Sequence, residues 1–506
     1  MLNVRVVFAI VAALMVSCSA PVTDTTTGSA STGPTRSDAS VNPSPTQSAA
    51  ASPSAATSPR SSGPVSAGAV SDAGLLFFFD YGDAPDLGRT VTPALYRYDG
   101  GSGTLATISE GGGWYSWSVA HETAAGIYAQ GPNGRWDLLH WDGTRASDQE
   151  FTACQQEAGS FASWYSVSAT GVGVGFGSHT GPGPGPFTGP WCPPAFIRLP
   201  GTTRSTGFPS GLCVQWAQVS TNGTQVLIGD LAPEATPGAL IGAQCAPGYV
   251  TVDGKACYRQ RLWIMPVGGL PRQLHLSPDL PGFIPTLSPD GRSAVGLQQG
   301  TLFLVDLLTG ATTALGPGYQ GATRWRPGGG LAFVRGAADS WSDTVVVVAA
   351  DGSTRDVPGA QRTGANALPV GLAPAWDPAG LRLAWIAAPA GVAAASDLAG
   401  DYLKGTGVGD RRVLVSDLSA DPIEIRCGDS IAEGVRWSLD GAALLLLCRR
   451  PGARVGAFEL WLYRLGAAGA AVPIVRGITW GGVDPHGFAP DLFTYTAWSR
   501  SAPGVR

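Results

Sequence analysis

Residues 287–297 read Leu-Ser-Pro-Asp-Gly-Arg-Ser-Ala-Val-Gly-Leu, which is a tight turn between two short apolar segments. Pro, Asp and Gly in this order are typical of a turn that joins two antiparallel strands. Weaker copies of the phrase begin at Val219, Trp325, Trp376 and Trp437. One short phrase repeated in this way predicts a single supersecondary unit that is stacked many times.

The sequence after each phrase has a common layout as well. In the clearest copy, a third apolar segment covers residues 302–307, a Gly turn follows, and a short outer segment covers 313–315. Four short strands that recur every 40 to 65 residues predict the blade of an all-β propeller. We place the blades at 75–108, 114–151, 164–204, 215–274, 283–315, 323–357, 373–425 and 434–475, with a ninth fragment at 478–498.

The first unit and the last fragment complement each other. Unit 75–108 lacks an inner strand, and fragment 478–498 contains only the inner phrase. We therefore predict that the C-terminal strand completes the N-terminal blade and closes the ring, because closure hides both sheet edges. This count favours eight blades. Seven is the alternative, because unit 164–204 is the weakest copy.

The phrase at residues 288–297 resembles the repeat of TolB-type and WD-repeat-like propellers. The resemblance covers most of residues 75–500, and it implies a fold without implying an activity. Bulky residues precede several turns, and they could be ligand platforms or wedges between neighbouring sheets. We predict wedges, because burial of an aromatic side chain contributes several kcal/mol. The residues concerned are Trp117, Trp325, Trp376 and Trp437.

The N-terminal residues have the pattern of an export signal. One positive charge, Arg5, precedes an apolar run at residues 6–16, which is too short to span a bilayer and suits a secretory signal. The tail Leu-Met-Val-Ser-Cys at 14–18 resembles the bacterial lipoprotein box. The resemblance implies a signal peptide at 1–17 and acylation of Cys18, and several acyl chains on one residue would anchor the protein firmly. An ordinary signal peptide with a chance cysteine is the alternative.

Residues 18–70 consist mainly of Ser, Thr, Ala, Pro and Gly. Such a segment buries too little apolar surface to offset its ordering entropy, so we predict a disordered tether that spans roughly 40 Å. The propeller is expected at 75–500. The predicted localisation is extracytoplasmic, with the protein held at the cell membrane by the lipid on Cys18.

Seven cysteines follow Cys18, and the strand order places all of them at one end of the blades. They fall in links between blades or near loops between second and third strands. Disulfides are the default in an exported chain. We predict three bridges: Cys427–Cys448, Cys245–Cys257 and, by analogy with the first, Cys154–Cys192. Cys213 would then remain a free thiol.

The same end carries the longest predicted loops, which is where binding usually resides on a rigid scaffold. We therefore predict a binding face that includes Trp191, Asp230, Asp397 and Asp401. The arginine pairs at 411–412 and 449–450 are interpreted as exposed surface charges.

Composition excludes several functions. The net charge of −5 offers no basis for nucleic-acid binding. A Gly-x-Ser-x-Gly nucleophile elbow is absent from the sequence, and the five histidines are scattered singly. The acidic loop residues match no calcium-loop spacing. We expect no metal and no cofactor.

These features favour a membrane-anchored, non-catalytic binding or scaffold module of the cell envelope. Its expected partners are the membrane, through the N-terminal lipid, and an unknown envelope protein or glycan. The alternative function is a propeller-type hydrolase or lyase that acts on a glycan or a lactone, because propellers often place acidic residues at the mouth of the axial channel.

Overall fold

The computed structural model describes residues between 65 and 499, all within one compact unit, Pro59–Arg506. The described ranges are 65–68, 70, 73–80, 94–110, 118–122, 126–130, 136–144, 163–176, 192, 195–200, 202, 205–209, 211–236, 238–241, 244–246, 249–251, 256–280, 283–335, 344–358, 374–387, 411–419, 421–451, 457–466, 470–479 and 496–499. Within these ranges, no helix is long and apolar enough to cross a membrane.

All regular elements of the described residues are β-strands. The first half of the chain forms β1 (Ser66–Ala67), β2 (Leu75–Asp80), β3 (Ala94–Asp99), β4 (Thr104–Glu110), β5 (Ser118–Glu122), β6 (Gly126–Gln130), β7 (Trp136–His140), β8 (Ser163–Val167), β9 (Gly173–Phe176), β10 (Ala195–Arg198), β11 (Ser205–Gly207), β12 (Cys213–Val219), β13 (Gln225–Ala235), β14 (Leu240–Ile241), β15 (Gln244–Cys245), β16 (Tyr249–Thr251), β17 (Cys257–Pro266) and β18 (Arg272–Leu274).

The second half forms β19 (Thr286–Leu287), β20 (Ser293–Gln298), β21 (Thr301–Asp306), β22 (Thr312–Trp325), β23 (Leu331–Arg335), β24 (Thr344–Val348), β25 (Thr354–Asp356), β26 (Ala375–Trp376), β27 (Leu383–Ala387), β28 (Arg412–Ser416), β29 (Ile423–Ile425), β30 (Ile431–Trp437), β31 (Ala443–Arg449), β32 (Ala457–Arg464), β33 (Val472–Thr479) and β34 (Thr496–Ser499).

These strands form antiparallel sheets, which we number in chain order. Sheet 1 has the order β34-β2-β3-β4, sheet 2 β5-β6-β7, and sheet 3 β8-β9-β10-β11. Sheet 4 has the order β12-β13-β17, with β16 and β18 both paired to β17. Sheets 5 and 6 are the halves β19-β20-β21-β22 and β22-β23-β24-β25 of one seven-stranded sheet. Sheet 7 is β26-β27-β28-β29, and sheet 8 is β30-β31-β32-β33 with β1 added. A small hairpin, β14-β15, stands apart.

The protein is therefore all-β and contains several four-stranded antiparallel sheets, as the repeated phrase predicts. One boundary differs from the prediction. The segment around Gly316 and Pro317 was expected to link two units, but β22 runs through it as a single strand. Pro317 still faces Thr301 of sheet 5, and Gly318 faces Arg335 of sheet 6, so successive parts of one strand serve two neighbouring sheets.

The C-terminal strand pairs with the N-terminal part of the chain. Residues 496–499 lie antiparallel to β2, with Thr496 opposite Phe78 and Ser499 opposite Leu75. The Trp498 side chain is fully buried, and its indole Nε1 donates a hydrogen bond to the Ala73 carbonyl at 2.6 Å. The predicted pairing of the C-terminal strand with the first sheet is thus present.

The apolar core lies between neighbouring sheets. Separate buried clusters join sheets 1 and 2, 3 and 4, 4 and 5, 5 and 6, 6 and 7, and 7 and 8. A further cluster joins sheet 8 to sheet 1 and contains Leu445, Phe78 and Trp498. Each sheet in these pairs therefore buries side chains against its neighbour, as expected when no single sheet can bury both faces alone.

Side-chain hydrogen bonds stabilise the turn at residues 288–293. Ser288 Oγ donates to Asp290 Oδ1 at 2.7 Å and accepts the Ser293 amide at 2.9 Å. Gly291 has φ of +74°, and a Cβ there would lie 2.7 Å from the Gln225 side chain of sheet 4. Glycine is thus required by the left-handed backbone and by the close approach of the neighbouring sheet.

Tryptophans before the turns act as wedges. Trp437 is buried, and its Nε1 donates to the Ala375 carbonyl of sheet 7 at 2.8 Å. Arg382 of sheet 7 lies over its ring at 4.7 Å, and Arg326 of sheet 6 lies over Trp376 in the same way at 5.1 Å. The packing interpretation is correct for these two tryptophans. Trp117 lies outside the described residues.

Residues 65–68 and 70, which were predicted to lie in the tether, belong to the folded part of the chain. Ser66 pairs with Arg476 and Ala67 with Val475, so β1 covers the outer edge of β33. Val65 and Val70 pack against the cluster between sheets 8 and 1. These residues belong to the folded part because an exposed outer edge gains hydrogen bonds and apolar contacts from one more strand.

Candidate functional site

The disulfides mark one end of their sheets. We call the first strand of each sheet in the orders given above its inner strand. Cys213 begins β12, the inner strand of sheet 4, and Cys427 lies just before β30, the inner strand of sheet 8. We call the end of a sheet at which its inner strand begins the disulfide end. The bridges Cys245–Cys257 and Cys427–Cys448 are present, with Cα–Cα distances of 5.7 and 6.2 Å. Both predicted pairs are therefore confirmed, and both distances suit a disulfide.

The third predicted pair is wrong. Cys192 is bonded to Cys213, with a Cα–Cα distance of 4.8 Å, and not to Cys154. Cys154 lies outside the described residues. The analogy with Cys427–Cys448 assumed a bridge within one sheet, whereas Cys192 precedes the third strand of sheet 3 and Cys213 begins sheet 4. Contacts between β8 and β12 bring these sheets together, so the bridge crosses from one to the next.

A buried acid lies beside the Cys192–Cys213 bridge. Asp230 in β13 has no exposed surface, and its Oδ1 accepts the Cys213 amide at 2.6 Å. Its Oδ2 accepts hydrogen bonds from Arg261 and from Trp263 Nε1, the latter at 3.0 Å. Arg261 faces Asp230 across the strand pair and also lies over the Trp263 ring at 5.5 Å.

This environment corrects the prediction that Asp230 belongs to an exposed binding face. The residue is at the predicted end of its sheet, but three internal donors occupy its carboxylate. Burial raises the pKa of Asp230, while Arg261 and the Cys213 amide oppose that rise. We infer that Asp230 positions the first residue of β12 and the guanidinium of Arg261. Trp191, Asp397 and Asp401 lie outside the described residues.

A second buried acid lies beside the Cys427–Cys448 bridge. Glu433 is fully buried and pairs with two arginines, Arg411 at 2.9 Å and Arg449 at 3.1 Å. Arg411 precedes β28 of sheet 7, and Arg449 ends β31 of sheet 8, so the cluster joins two sheets. Arg411 is only 4 % exposed and Arg449 only 1 %, which makes this a buried cluster with a net charge of about +1.

A β-bulge directs Glu433 into this position. The register of β30 against β31 shifts between Ala432 and Gly434, so Glu433 is the extra residue. Bulges bend a strand and re-aim a side chain, and they are common beside functional sites. The interpretation of Arg411 and Arg449 as exposed charges is wrong. The sequence signal was an acid within the apolar run at residues 431–437, which requires a buried partner.

The outer part of the same end carries exposed charge. Glu459 in β32 pairs with Arg450 at 2.6 Å and accepts Trp461 Nε1 at 3.0 Å. Arg450 directly follows β31, and its side chain is 59 % exposed. Arg450 thus places a positive charge at the disulfide end of sheet 8 where a partner can reach it.

Inner strands of three sheets are joined by a further ion pair. Glu122 of β5 pairs with Arg436 of β30 and accepts the Trp498 amide of β34 at 2.7 Å. Arg436 also donates to the Thr496 carbonyl. Sheets 8, 1 and 2 therefore meet along their inner strands.

Within the described part of the chain, no group of three or more His, Cys, Asp or Glu side chains could hold a metal ion. Asp230, Glu433 and Glu459 accept hydrogen bonds from arginine, tryptophan or backbone donors. A carboxylate that two guanidinium groups already hold is poorly suited to act as a base. The described groups are arranged to hold strands and loop bases in place.

Comparisons with known proteins show similarity of fold and nothing about activity. No protein-family model and no curated protein matches the chain. The similar solved structures include TolB from Acinetobacter baumannii, at 14 % identity over 43 % of this chain and 49 % of TolB, with a TM-score of 0.27. The chain thus spans about half the length of that protein.

Two other solved structures cover more of the chain. Dihydro-heme d1 dehydrogenase NirN has 13 % identity over 80 % of this chain and 74 % of its own, with a TM-score of 0.42. The β-propeller domain of the Trilobed protease from Pyrococcus furiosus has 8 % identity over 62 % and 84 %, with a TM-score of 0.33. These similarities are of strand architecture and assign no activity.

Proposed function

We propose that this protein is an extracytoplasmic β-propeller lipoprotein that binds a cell-envelope partner at its disulfide ends without catalysing a reaction. The partner is an envelope protein or a glycan. The proposed anchor is a lipid on Cys18, and the proposed scaffold is a ring of eight blades closed by the N- and C-terminal strands.

The apolar clusters support the closed ring. They join consecutive sheets along the chain, contacts between β5 and β8 connect sheets 2 and 3, and one cluster joins sheet 8 to sheet 1. The pairing of β34 with β2 removes the edges that an open array would expose. Eight successive sheets within the described residues support eight blades.

Reinforcement at the disulfide ends is the observation that carries the binding function. All three bridges of the described residues involve a cysteine next to the start of an inner or third strand. Buried clusters around Asp230 and Glu433 hold the adjacent strand ends. Cross-links and buried polar contacts lower the entropy that loops at this end lose on binding, and a preorganised surface binds more tightly.

Export is supported by the same bridges. Structural disulfides persist in oxidising compartments and are rare in the cytosol of most bacteria. The proposed acyl anchor is tested by replacing Cys18 with Ala. We expect the variant to leave the membrane fraction, and a variant that stays with carbonate-washed membranes would exclude the lipid anchor.

Affinity capture from detergent-solubilised envelope tests the binding surface. We compare the full chain with Arg450→Glu, which changes an exposed cation at the disulfide end, and with Arg292→Glu, which makes the same change in an exposed turn at the opposite end of sheet 5. Quantitative mass spectrometry should find a partner whose recovery falls about tenfold for Arg450→Glu and remains within about twofold for Arg292→Glu.

Equal recovery by the two variants would exclude the Arg450 region as the surface. Absence of any partner above an uncoated resin would argue against a binding module. Turnover of a member of a glycan or lactone panel by the purified chain would favour the hydrolase or lyase alternative.

A further inference from the structure

A cleft of about 170 Å³ opens in sheet 6, and no proposed activity uses it. It lies at the C-terminal end of β22, the inner strand of sheet 6. The disulfide ends, by contrast, are the ends at which inner strands begin. Its lining residues are Arg326, Val347, Ala349, Ser353, Thr354 and Arg355. A cleft lined by two arginines can hold a negatively charged ligand.

The sheet register places two of the lining side chains, those of Val347 and Arg355, on one face. Val347 of β24 lies opposite Arg355 of β25 and opposite Ala332 of β23, so their side chains project from the same side. Val347 is buried in the cluster that also contains Trp376 of sheet 7. The cleft therefore has an apolar floor between sheets 6 and 7, and Arg355 is at its exposed outer edge.

Arg326 forms the inner wall and is held in a fixed orientation. Its Nε donates to the Gly380 carbonyl at 2.7 Å, and its guanidinium lies 5.1 Å from the centre of the Trp376 ring. Neither Nη atom has a hydrogen-bond partner among the described residues. Stacking on an aromatic ring together with one fixed bond preorganises the planar fork of donors that arginine offers to an oxyanion.

The turn beside Arg326 depends on Gly330. This residue has φ of +81°, and a Cβ there would lie only 2.3 Å from the Val348 carbonyl oxygen. Glycine lets the turn pack directly onto β24. Arg326 is thereby brought to the same end of the sheet as Ser353 and Thr354.

Neither arginine of the cleft forms an ion pair with an acid of the described residues. By contrast, Arg335 on the same sheet pairs with Asp356 at 2.9 Å. Asp351, two residues before Ser353, accepts hydrogen bonds from the Ser353 amide and hydroxyl at 2.9 and 2.6 Å. Those bonds lower the pKa of Asp351, and no arginine contributes to that shift. Two cations thus face one cleft, and no acid among the described residues forms an ion pair with either of them.

We propose that this cleft binds a phosphate-type oxyanion. Two guanidinium groups can donate to several oxygens at once, which suits a tetrahedral anion better than a carboxylate. The Ser353 hydroxyl already donates its hydrogen to Asp351, so we assign it no hydrogen bond to the ligand. At roughly 30 Å³ per water molecule, the cleft has room for one such group and a few waters.

Calorimetric titration of the full chain with inorganic phosphate, against chloride at equal ionic strength, tests the site. Arg355→Gln removes the exposed cation of the cleft, and Arg335→Gln is its matched control on the other face of the sheet. We expect Arg355→Gln to weaken phosphate binding about tenfold. The control should stay within about twofold of the unsubstituted protein.

Arg326→Lys keeps the charge of the inner wall while removing the planar fork. The proposal predicts that it weakens phosphate binding by a factor of about three to ten. Its circular dichroism spectrum should match that of the unsubstituted protein, which would show that lost binding reflects the site.

Vesicle flotation distinguishes the source of the phosphate. The Cys18→Ala full chain is mixed with phosphatidylcholine vesicles with and without phosphatidylglycerol. Flotation that requires phosphatidylglycerol and Arg355 would identify a lipid headgroup as the ligand. Phosphate binding without flotation would identify a soluble oxyanion. Equal phosphate affinity for Arg355→Gln and Arg335→Gln, or phosphate binding no tighter than chloride binding, would overturn the proposal.

Discussion

Asp230 in sheet 4 and Glu433 in sheet 8 are both buried acids beside a disulfide, yet they are neutralised differently. Asp230 has one arginine, and the side chain of Arg261 is still 20 % exposed. Glu433 has two arginines, and both are almost fully buried. Sheet 4 therefore keeps a single pair at the edge of solvent, and sheet 8 encloses a cluster with an extra positive charge.

The difference shows that the disulfide end of a sheet can be reinforced by two electrostatic arrangements. In sheet 4, Asp230 accepts a hydrogen bond from the Cys213 amide and pairs with Arg261, which is partly exposed to solvent. In sheet 8, the acid holds together two cations from different sheets, so its removal breaks two buried ion pairs at once. The two regions should respond differently to substitution and to pH.

Replacement of Glu433 by Gln should have the largest effect. The amide keeps the shape of the side chain, but Arg411 and Arg449 would lose the carboxylate that they share. We expect a loss of about 3–5 kcal/mol in the free energy of unfolding, which is typical when one partner of a buried ion pair is removed. Urea unfolding followed by tryptophan fluorescence measures this loss.

Glu424→Gln is the matched control, because Glu424 pairs with Arg412 and Arg426 at the surface. Exposed ion pairs contribute about 1 kcal/mol or less, so Glu424→Gln should change the free energy of unfolding very little. Similar losses for the two variants would mean that burial of the Glu433 cluster has no energetic consequence.

Removal of a disulfide should have the next largest effect. Cys192–Cys213 and Cys427–Cys448 each close a separation of 21 residues, so loop entropy predicts about 3 kcal/mol for either. Double Cys→Ala variants of each bridge compare a link between two sheets with a link within sheet 8. We expect the Cys192–Cys213 variant to lose more, because it also frees sheet 3 from sheet 4.

Peptide mapping under non-reducing conditions checks the pairing on which this comparison depends. It should recover Cys192 linked to Cys213. Recovery of a Cys154–Cys192 peptide as the main product would instead restore the pairing predicted from the sequence and refute the link between sheets 3 and 4.

The smallest effect concerns pH. Burial raises the pKa of Asp230 above its ordinary value of 3.8, so the folded state holds this proton more tightly than the unfolded chain. Its contribution to stability is therefore fully present below about pH 3.8 and is lost as the pH rises through the raised pKa. Relative to Asp230→Asn, the unsubstituted protein should become less stable over that interval.

Urea unfolding of both proteins at several pH values measures this difference. Asp279→Asn serves as the control, because Asp279 pairs with Arg259 at the exposed surface. A stability difference for Asp230→Asn that grows with pH would show that pairing with Arg261 outweighs burial.

Much of the strand order was predictable because its signals are local. The Ser-Pro-Asp-Gly phrase at 288–291 marks a turn through the hydrogen bonds of Ser288 and Asp290, which depend only on neighbouring residues. The wedge role of Trp437 follows from its size and position before such a turn. The pairing of β34 with β2 was predictable from a strand missing at one end and present at the other.

The candidate site was predicted less well because its contacts join distant residues. Cys192 could reach Cys154 or Cys213 at comparable separations in the chain, and only the packing of sheet 3 against sheet 4 decides between them. Arg411 and Arg449 look like surface charges until a bulge turns Glu433 towards them. The cleft at Arg326 and Arg355 has no sequence signal, since those residues meet across three strands.

The sequence by itself determined the repeating turn, the alternation of short apolar strands and the end of the sheets at which cysteines gather, because each depends on residues close together in the chain. Only the tertiary structure decided which cysteines bond, which arginines are buried and where two cations share a cleft. These choices depend on the distance between neighbouring sheets and on the direction in which each strand turns its side chains. Local sequence encodes neither quantity, because both arise from the packing of one sheet against the next.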